Sequence, residues 1–173
     1  VNYKRGNLAL GHNGNLTNFQ TLRARLQDAG TIFQSTSDSE AILHLAARSQ
    51  HTDQVLQVKD ALDMVEGAYS LVILTDECLI AARDPHGFRP LALGKLGDAF
   101  VVASETCAFD IIGATYVRDI APGEIVVIDQ KAVDSGRVRS LWSARKPNQA
   151  HHCIFEYIYF SRPDSKIFGE NVD

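Results

Sequence analysis

Apolar residues in the first third of the chain recur with a helical period, and after residue 69 they collect into short strand-length runs. Leu16, Phe19, Leu22 and Leu26 mark one face of an amphipathic helix predicted over residues 16–29, with Gly30 as its C-cap. Before it, Leu8, Ala9 and Leu10 form an apolar segment that runs into Gly11, His12, Asn13, Gly14 and Asn15. That order predicts a strand ending in a turn whose backbone N–H groups are exposed. Residues 31–34 predict a short strand. In the polar turn at 35–40, Ser37 with Glu40 three residues on makes a capping box, which opens a second helix over 38–48. A third helix is predicted over 53–65, stopping before Gly67.

From Tyr69 onward the runs at 69–75, 79–83, 91–94, 100–104 and 124–128 predict short strands, broken by polar and Pro/Gly turns. Close spacing with short turns implies antiparallel pairing. A brief helical patch is predicted at 107–112. Helices first and hairpins later indicate an α+β layered domain. After Trp142, residues 143–152 are polar, hold Pro147 and read as a connection. Residues 154–160 predict an aromatic-rich strand. The polar tail at 161–173 has no cap and is expected to continue into a second domain. The division is placed as 1–145 for the main domain and 146–173 for the connection and the start of the next.

Composition narrows the class. The chain has 173 residues, 45% of them hydrophobic, and a net charge of −4, enough for one soluble domain with a sizeable core. Its apolar runs fall far short of the ~20 residues that cross a bilayer, and no signal peptide is visible, so no membrane partner is expected. A mildly acidic chain without a basic stripe argues against nucleic acid. Three widely spaced cysteines, Cys78, Cys107 and Cys153, make a poor disulfide framework and point to a reducing, cytoplasmic compartment. The acceptor pattern Asn15-Leu16-Thr17 therefore reads as incidental. A start at Val1 without an initiator Met suggests an internal piece of a longer enzyme.

Chemistry concentrates in a few places. The Asn13 side-chain amide beside the Gly14 N–H is a suitable donor pair for an oxyanion in acyl transfer, and glycine lets a substrate approach the backbone closely. The plain alternative is an ordinary Asn-Gly turn. Asp38, exposed at its turn, suits an ammonium group; the plain alternative is a helix N-terminus. Residues 83–91 hold Arg83, Asp84, His86 and Arg89 around Pro85 and Pro90 and read as a rigid structural corner with an internal ion pair. Residues 87–95 lack the spacing of a phosphate loop. His151 and His152 read as a surface pair beside a buried Cys153, since no second ligand pair has zinc-site spacing.

The combination is more specific than its parts. Gly-His-Asn-Gly-Asn-Leu-Thr-Asn at 11–18 is followed by Ser-Thr-Ser-Asp-Ser-Glu at 35–40 and Arg-Asp-Pro-His-Gly-Phe-Arg-Pro-Leu at 83–91. Ala-Ser-Glu-Thr-Cys-Ala-Phe-Asp at 103–110 and Phe-Glu-Tyr-Ile-Tyr-Phe-Ser-Arg-Pro-Asp-Ser at 155–165 complete the series. In that order they resemble the glutamine phosphoribosylpyrophosphate amidotransferases over essentially the whole chain. The first two motifs occur in class II glutamine amidotransferases generally; the last is much more specific to the purine enzyme.

The resemblance implies an N-terminal-nucleophile (Ntn) glutaminase domain, a four-layer αββα sandwich truncated here at its N-terminus, followed by a phosphoribosyltransferase domain. In that family an N-terminal Cys attacks glutamine, and the released ammonia displaces pyrophosphate from phosphoribosyl pyrophosphate. The product, phosphoribosylamine, is the first committed intermediate of purine synthesis. By motif, Asn13 and Gly14 look like the oxyanion hole and Asp38 like the anchor for the glutamine α-amino group, with Ser39 beside it. The nucleophile, its strand and an Arg-containing loop are expected before Val1. The phosphoribosyl pyrophosphate loop and its Mg2+ are expected beyond Asp173, and the chain is expected to be inactive by itself. Cys153 matches a position that in one subgroup helps bind a structural [4Fe-4S] cluster, the other three ligands coming from the C-terminal region. A homo-oligomer is expected for the full-length protein. The alternatives are another class II amidotransferase, against which 155–165 argues, and a non-catalytic Ntn-fold module kept for regulation or assembly.

Overall fold

Strand β2 (Gly6–Leu16) organises the molecule because its even positions, among them Leu8, Leu10 and Leu16, give it one apolar face. The computed structural model describes residues 1–144 and 151–172. In it β2 pairs antiparallel with β3 (Gly67–Thr75), from Leu8 opposite Thr75 to Leu16 opposite Gly67. The sheet continues through β4 (Leu79–Arg83), β8 (Glu124–Ile128) and β9 (Arg139–Trp142), all antiparallel. On its other side β1 (Asn2–Tyr3) pairs only with Gly6 and Asn7. A second sheet has the order β6 (Ala99–Ala103), β5 (Ala92–Leu96), β7 (Thr115–Asp119).

Three helices, α1 (Phe19–Asp28), α2 (Ser39–Arg48) and α3 (Gln54–Met64), cover one face of the larger sheet. Leu22, Ile42 and Leu62 pack there against Leu71, Ile73 and Ile80. On the opposite face Ala81, Val126 and Ile128 meet Leu91, Leu93 and Ile120 from the smaller sheet and its flanks. Gly94 points to the far side of that sheet, where the Phe109 ring of α4 (Cys107–Ile112) would lie 3.1 Å from any Cβ. The layers are therefore helix, sheet, sheet, helix, the αββα arrangement expected. A last short helix, α5 (Gln130–Ser135), is capped by Asp129, which accepts from the Ala132 N–H. Among the described residues no helix is long and apolar enough to cross a membrane.

Several local expectations are corrected. Residues 11–15 do not form a turn: they lie inside β2 with β3 alongside. Leu16 belongs to that strand, so α1 starts only at Phe19. Residues 31–34 are irregular, because Ile32 is 82% exposed and the backbone there is consumed locally. The N–H groups of Gln34 and Ser35 donate to Glu40 at 2.7 and 2.8 Å. That also replaces the capping box, since Glu40 reaches back past Ser37. Strands β7 and β9 and helix α5 carry no clear period and are revealed only by the fold. Residues 154–160 are not a strand: Glu156–Phe160 is a π-helical turn. Within that turn only Glu156 is buried, so the alternation a strand needs is absent. The connection at 143–152 and the division at 145/146 fall largely on residues 145–150, which lie outside the described residues.

Glu40 gives this turn a pH signature. Burial pushes its carboxyl up, but hydrogen bonds from the Ser35 hydroxyl, the Gln34 and Ser35 N–H groups and His44 outweigh that. Together they hold its pKa at about 2, down from 4.5. A depressed carboxylate stabilises the fold above its unfolded pKa and loses that contribution as pH falls toward the folded one. An NMR titration of the Glu40 side chain is expected to show a midpoint near 2; a midpoint near 4.5 would contradict the assigned bonds.

Candidate functional site

Backbone groups alternate along a strand, and this fixes which amides of β2 face outward. Thr17 donates to the Glu66 carbonyl on the β3 side. The even positions turn the other way: Leu8 donates to the Val1 carbonyl at 2.9 Å and Leu16 to the Asp38 carboxylate at 2.8 Å. By the same alternation the Gly14 N–H, two residues from Leu16, faces that edge. Its partner across the ladder, Tyr69, agrees, since its carbonyl accepts from Asp84 on the far side of β3. Because β1 ends at Tyr3, nothing among the described residues pairs as a strand with this edge beyond Asn7. Glycine is required here: Gly14 has φ +149°, and a Cβ would run into the Ala68 carbonyl oxygen.

Asn13, at an odd position, projects from the other face toward the smaller sheet. It is exposed and borders a cavity of about 220 Å³ together with Arg89, Pro90, Ser104, Glu105, Glu156 and Phe160. The Arg89 guanidinium donates to Glu156 at 2.6 Å and lies 4.8 Å from the Phe160 ring centre. Glu105 receives the Arg162 N–H and the Ser165 hydroxyl at 2.8 and 2.9 Å, and Thr106 receives the Lys166 N–H at 2.7 Å. These bonds fasten residues 156–166 against the cavity wall.

Asp38 occupies the N-cap position of α2, yet its side chain caps nothing. It turns instead to β2, where one oxygen accepts from Leu16 and the other lies 3.3 Å from His12 Nδ1. Ser39 Oγ stands 3.0 Å from the same nitrogen. The carboxylate is thus partly buried, with 18% of its side chain exposed, and not the open turn residue the sequence suggested. A larger cavity of about 480 Å³ runs beside it, between Val1, Tyr3 and Leu8 on one side and Ser37, Ser39 and Leu43 on the other.

The corner at 83–91 is confirmed, but its ion pair is not. Arg83 donates to the backbone carbonyls of Gly87, Arg89 and Ile120, each at 2.8 Å. Asp84 accepts from the His86 and Phe88 N–H groups at 2.9 and 3.0 Å. Burial pushes the Arg83 guanidinium down and the Asp84 carboxyl up from their ordinary values. Each charge is spent on backbone, and the corner aims Arg89 at the Asn13 cavity.

Asn13, Gly14, Asp38 and Ser39 are therefore brought to one end of β2, while Cys153 lines neither of the two cavities there. Its thiol is half-buried, not buried as expected, and its carbonyl accepts from the Glu156 N–H. His152 stacks on Phe168 at 4.0 Å between ring centres instead of pairing with His151. Among the described residues no group of three or more His, Cys, Asp or Glu is placed to hold a metal. An iron–sulfur cluster takes four thiolates, so the cysteines described here do not by themselves form such a site. The sequence reading missed His12, Arg89, Glu105 and Glu156 as neighbours of the site. All four sat inside the quoted motifs, but no local pattern showed that Arg89, Glu105 and Glu156 would meet around Asn13.

Comparisons with known proteins bear on the family and the fold. The family model for a glutamine amidotransferase domain matches residues 1–110. The chain is 49% identical over 167 residues to the amidophosphoribosyltransferase of Bacillus subtilis, covering 96% of this chain and 34% of that protein. It is 49% identical over 171 residues to the chloroplastic amidophosphoribosyltransferase of Vigna aconitifolia, covering 98% and 34%. A solved structure of glutamine phosphoribosylpyrophosphate amidotransferase from B. subtilis, complexed with ADP and GMP, superposes with a TM-score of 0.91 at 48% identity, covering 98% of this chain and 36% of that one. The chain spans about a third of the length of these curated relatives.

Proposed function

Because this chain belongs to the glutamine amidotransferase domain family, we propose that it forms part of the glutamine-hydrolysing domain of an amidophosphoribosyltransferase. In this reading the Gly14 N–H and the Asn13 amide stabilise the oxyanion formed when a thiolate attacks the glutamine side chain. Asp38 pairs with the α-ammonium group, and Ser39 supports it. The ammonia released displaces pyrophosphate from phosphoribosyl pyrophosphate in another part of the enzyme. Three unpaired cysteines support a reducing, cytoplasmic setting. The exposed Phe155, Ile158 and Tyr159 support cover by further protein, either the rest of the enzyme or a second copy in a homo-oligomer.

The observation that carries the proposal is the edge of β2. The outward Gly14 N–H and the Leu16 N–H that seats Asp38 lie two residues apart, about 7 Å along a strand. An extended glutamine spans roughly 5 Å from its α-nitrogen to its amide carbon, at about 1.5 Å per bond before zigzag shortening. With a hydrogen bond at each end it bridges the two points. A partly desolvated site needs a carboxylate for the ammonium, because an unpaired buried charge is costly.

Asp38→Ala in the amidophosphoribosyltransferase containing this chain is the direct test. Loss of a charge-assisted contact costs roughly 1.5–3 kcal/mol, so KM for glutamine is expected to rise about 10- to 150-fold. Synthesis from free ammonia, which bypasses glutamine capture, is expected to survive. Equal loss of both activities would make Asp38 a structural brace for β2 and overturn its role here.

A further inference from the structure

We propose that His12 is a positioning residue for Asp38, holding the ammonium anchor at a fixed distance from the oxyanion donors; this rests on the reading of Asp38 given above. His12 lies on the helix-facing side of β2 with only 4% of its side chain exposed. Its Nδ1 stands 3.0 Å from Ser39 Oγ and 3.3 Å from the Asp38 carboxylate, while its Nε2 is buried without any hydrogen-bond partner. The carboxylate only accepts, so the Ser39 hydroxyl gives its proton to Asp38 and accepts from His12; the ring proton then belongs on Nδ1 and the Nε2 lone pair is left bare.

That asymmetry is informative. A buried polar atom without a partner is unfavourable, and a phenyl or leucyl side chain would fill the space without one. The imidazole is thus explained by its Nδ1–H, which bonds the first residue of α2 and faces Asp38. Leu16 fixes one carboxylate oxygen from the strand at 2.8 Å; the other lies 3.3 Å from His12 Nδ1 and accepts at 3.5 Å from the Ser39 hydroxyl, which His12 holds at 3.0 Å. One Asp38 oxygen is thus held by Leu16, and the other faces His12 and the hydroxyl that His12 positions. Without His12, the carboxylate keeps the Leu16 bond and only the long contact from a Ser39 hydroxyl that has lost its own partner, so its distance to the Gly14 N–H is set less tightly.

Asparagine and glutamine separate the two ring nitrogens, since an Asn amide nitrogen falls near the Nδ1 position and that of Gln near Nε2. His12→Asn, His12→Gln and His12→Phe are to be compared in the amidophosphoribosyltransferase containing this chain. His12→Asn is expected to keep KM for glutamine within about threefold of the parent, while His12→Gln and His12→Phe raise it about tenfold or more, a change of at least ~1.4 kcal/mol. Ammonia-dependent synthesis is expected to be unchanged in all three. The Leu16 amide signal in NMR spectra without glutamine reads the brace separately: it should move in His12→Phe and stay in His12→Asn. Equal KM values across the three variants, or His12→Asn as impaired as His12→Phe, would overturn the proposal. If Asp38→Ala itself leaves KM unchanged, the anchor reading falls, and the Leu16 signal still decides whether His12 braces the carboxylate.

Discussion

Replacing Asn13 with alanine is expected to lower glutamine-dependent turnover by about 10²- to 10³-fold, the usual consequence of losing one oxyanion donor. KM for glutamine should change little, because the donor acts on charge that develops only in the transition state. The structure makes this a clean substitution. Asn13 is exposed, belongs to neither hydrophobic cluster, and stands on a strand whose ladder is built from backbone groups. Its removal should leave the melting temperature and ammonia-dependent synthesis close to those of the parent. Asn13→Asp keeps the shape, replaces the donor with an acceptor, and should be at least as impaired. A loss smaller than about fivefold in Asn13→Ala would remove the side chain from the reaction and leave the Gly14 N–H as the only donor assigned here.

The second large effect is on stability. Asp84 is fully buried at the corner before Pro85, and its carboxylate serves the His86 and Phe88 N–H groups. Asp84→Ala leaves at least these two part-buried donors without their acceptor, at about 1–2 kcal/mol each, the lower part of the range for a fully buried group, so a loss of about 2–4 kcal/mol is expected. For a domain of this size that is a fall of roughly 5–15 °C in Tm. The neighbouring Arg83 loses the smaller of the two negative charges, Asp119 and Asp84, that favour its charged form, which works in the same direction. Glutamine turnover should fall too, because the corner carries Arg89 and through it the wall of the Asn13 cavity. Differential scanning calorimetry of the variant checks the estimate. An unchanged Tm would mean that water replaces the carboxylate at no cost.

Much of this protein was legible from short-range pattern. The third helix falls within one residue of its expected bounds, and the strands at Leu79–Arg83 and Glu124–Ile128 and the helix at Cys107–Ile112 match theirs. Asn13, Gly14, Asp38 and Ser39 could be proposed as candidates because their motifs are contiguous. Such features depend on neighbours three or four residues away, or on alternation within one run, and these the chain order itself specifies. What only the tertiary structure decided depends on partners far apart in sequence. The run at residues 11–15 looked like a turn because Asn and Gly favour turns, yet pairing with Ser70 and its neighbours draws it into a strand. Asp38 looked open because it precedes a helix, but the Leu16 amide 22 residues earlier draws it inward. The run at 154–160 looked like a strand until Glu156 found Arg89, 67 residues away. A buried charge goes wherever its counter-charge is, and no local period records where that will be.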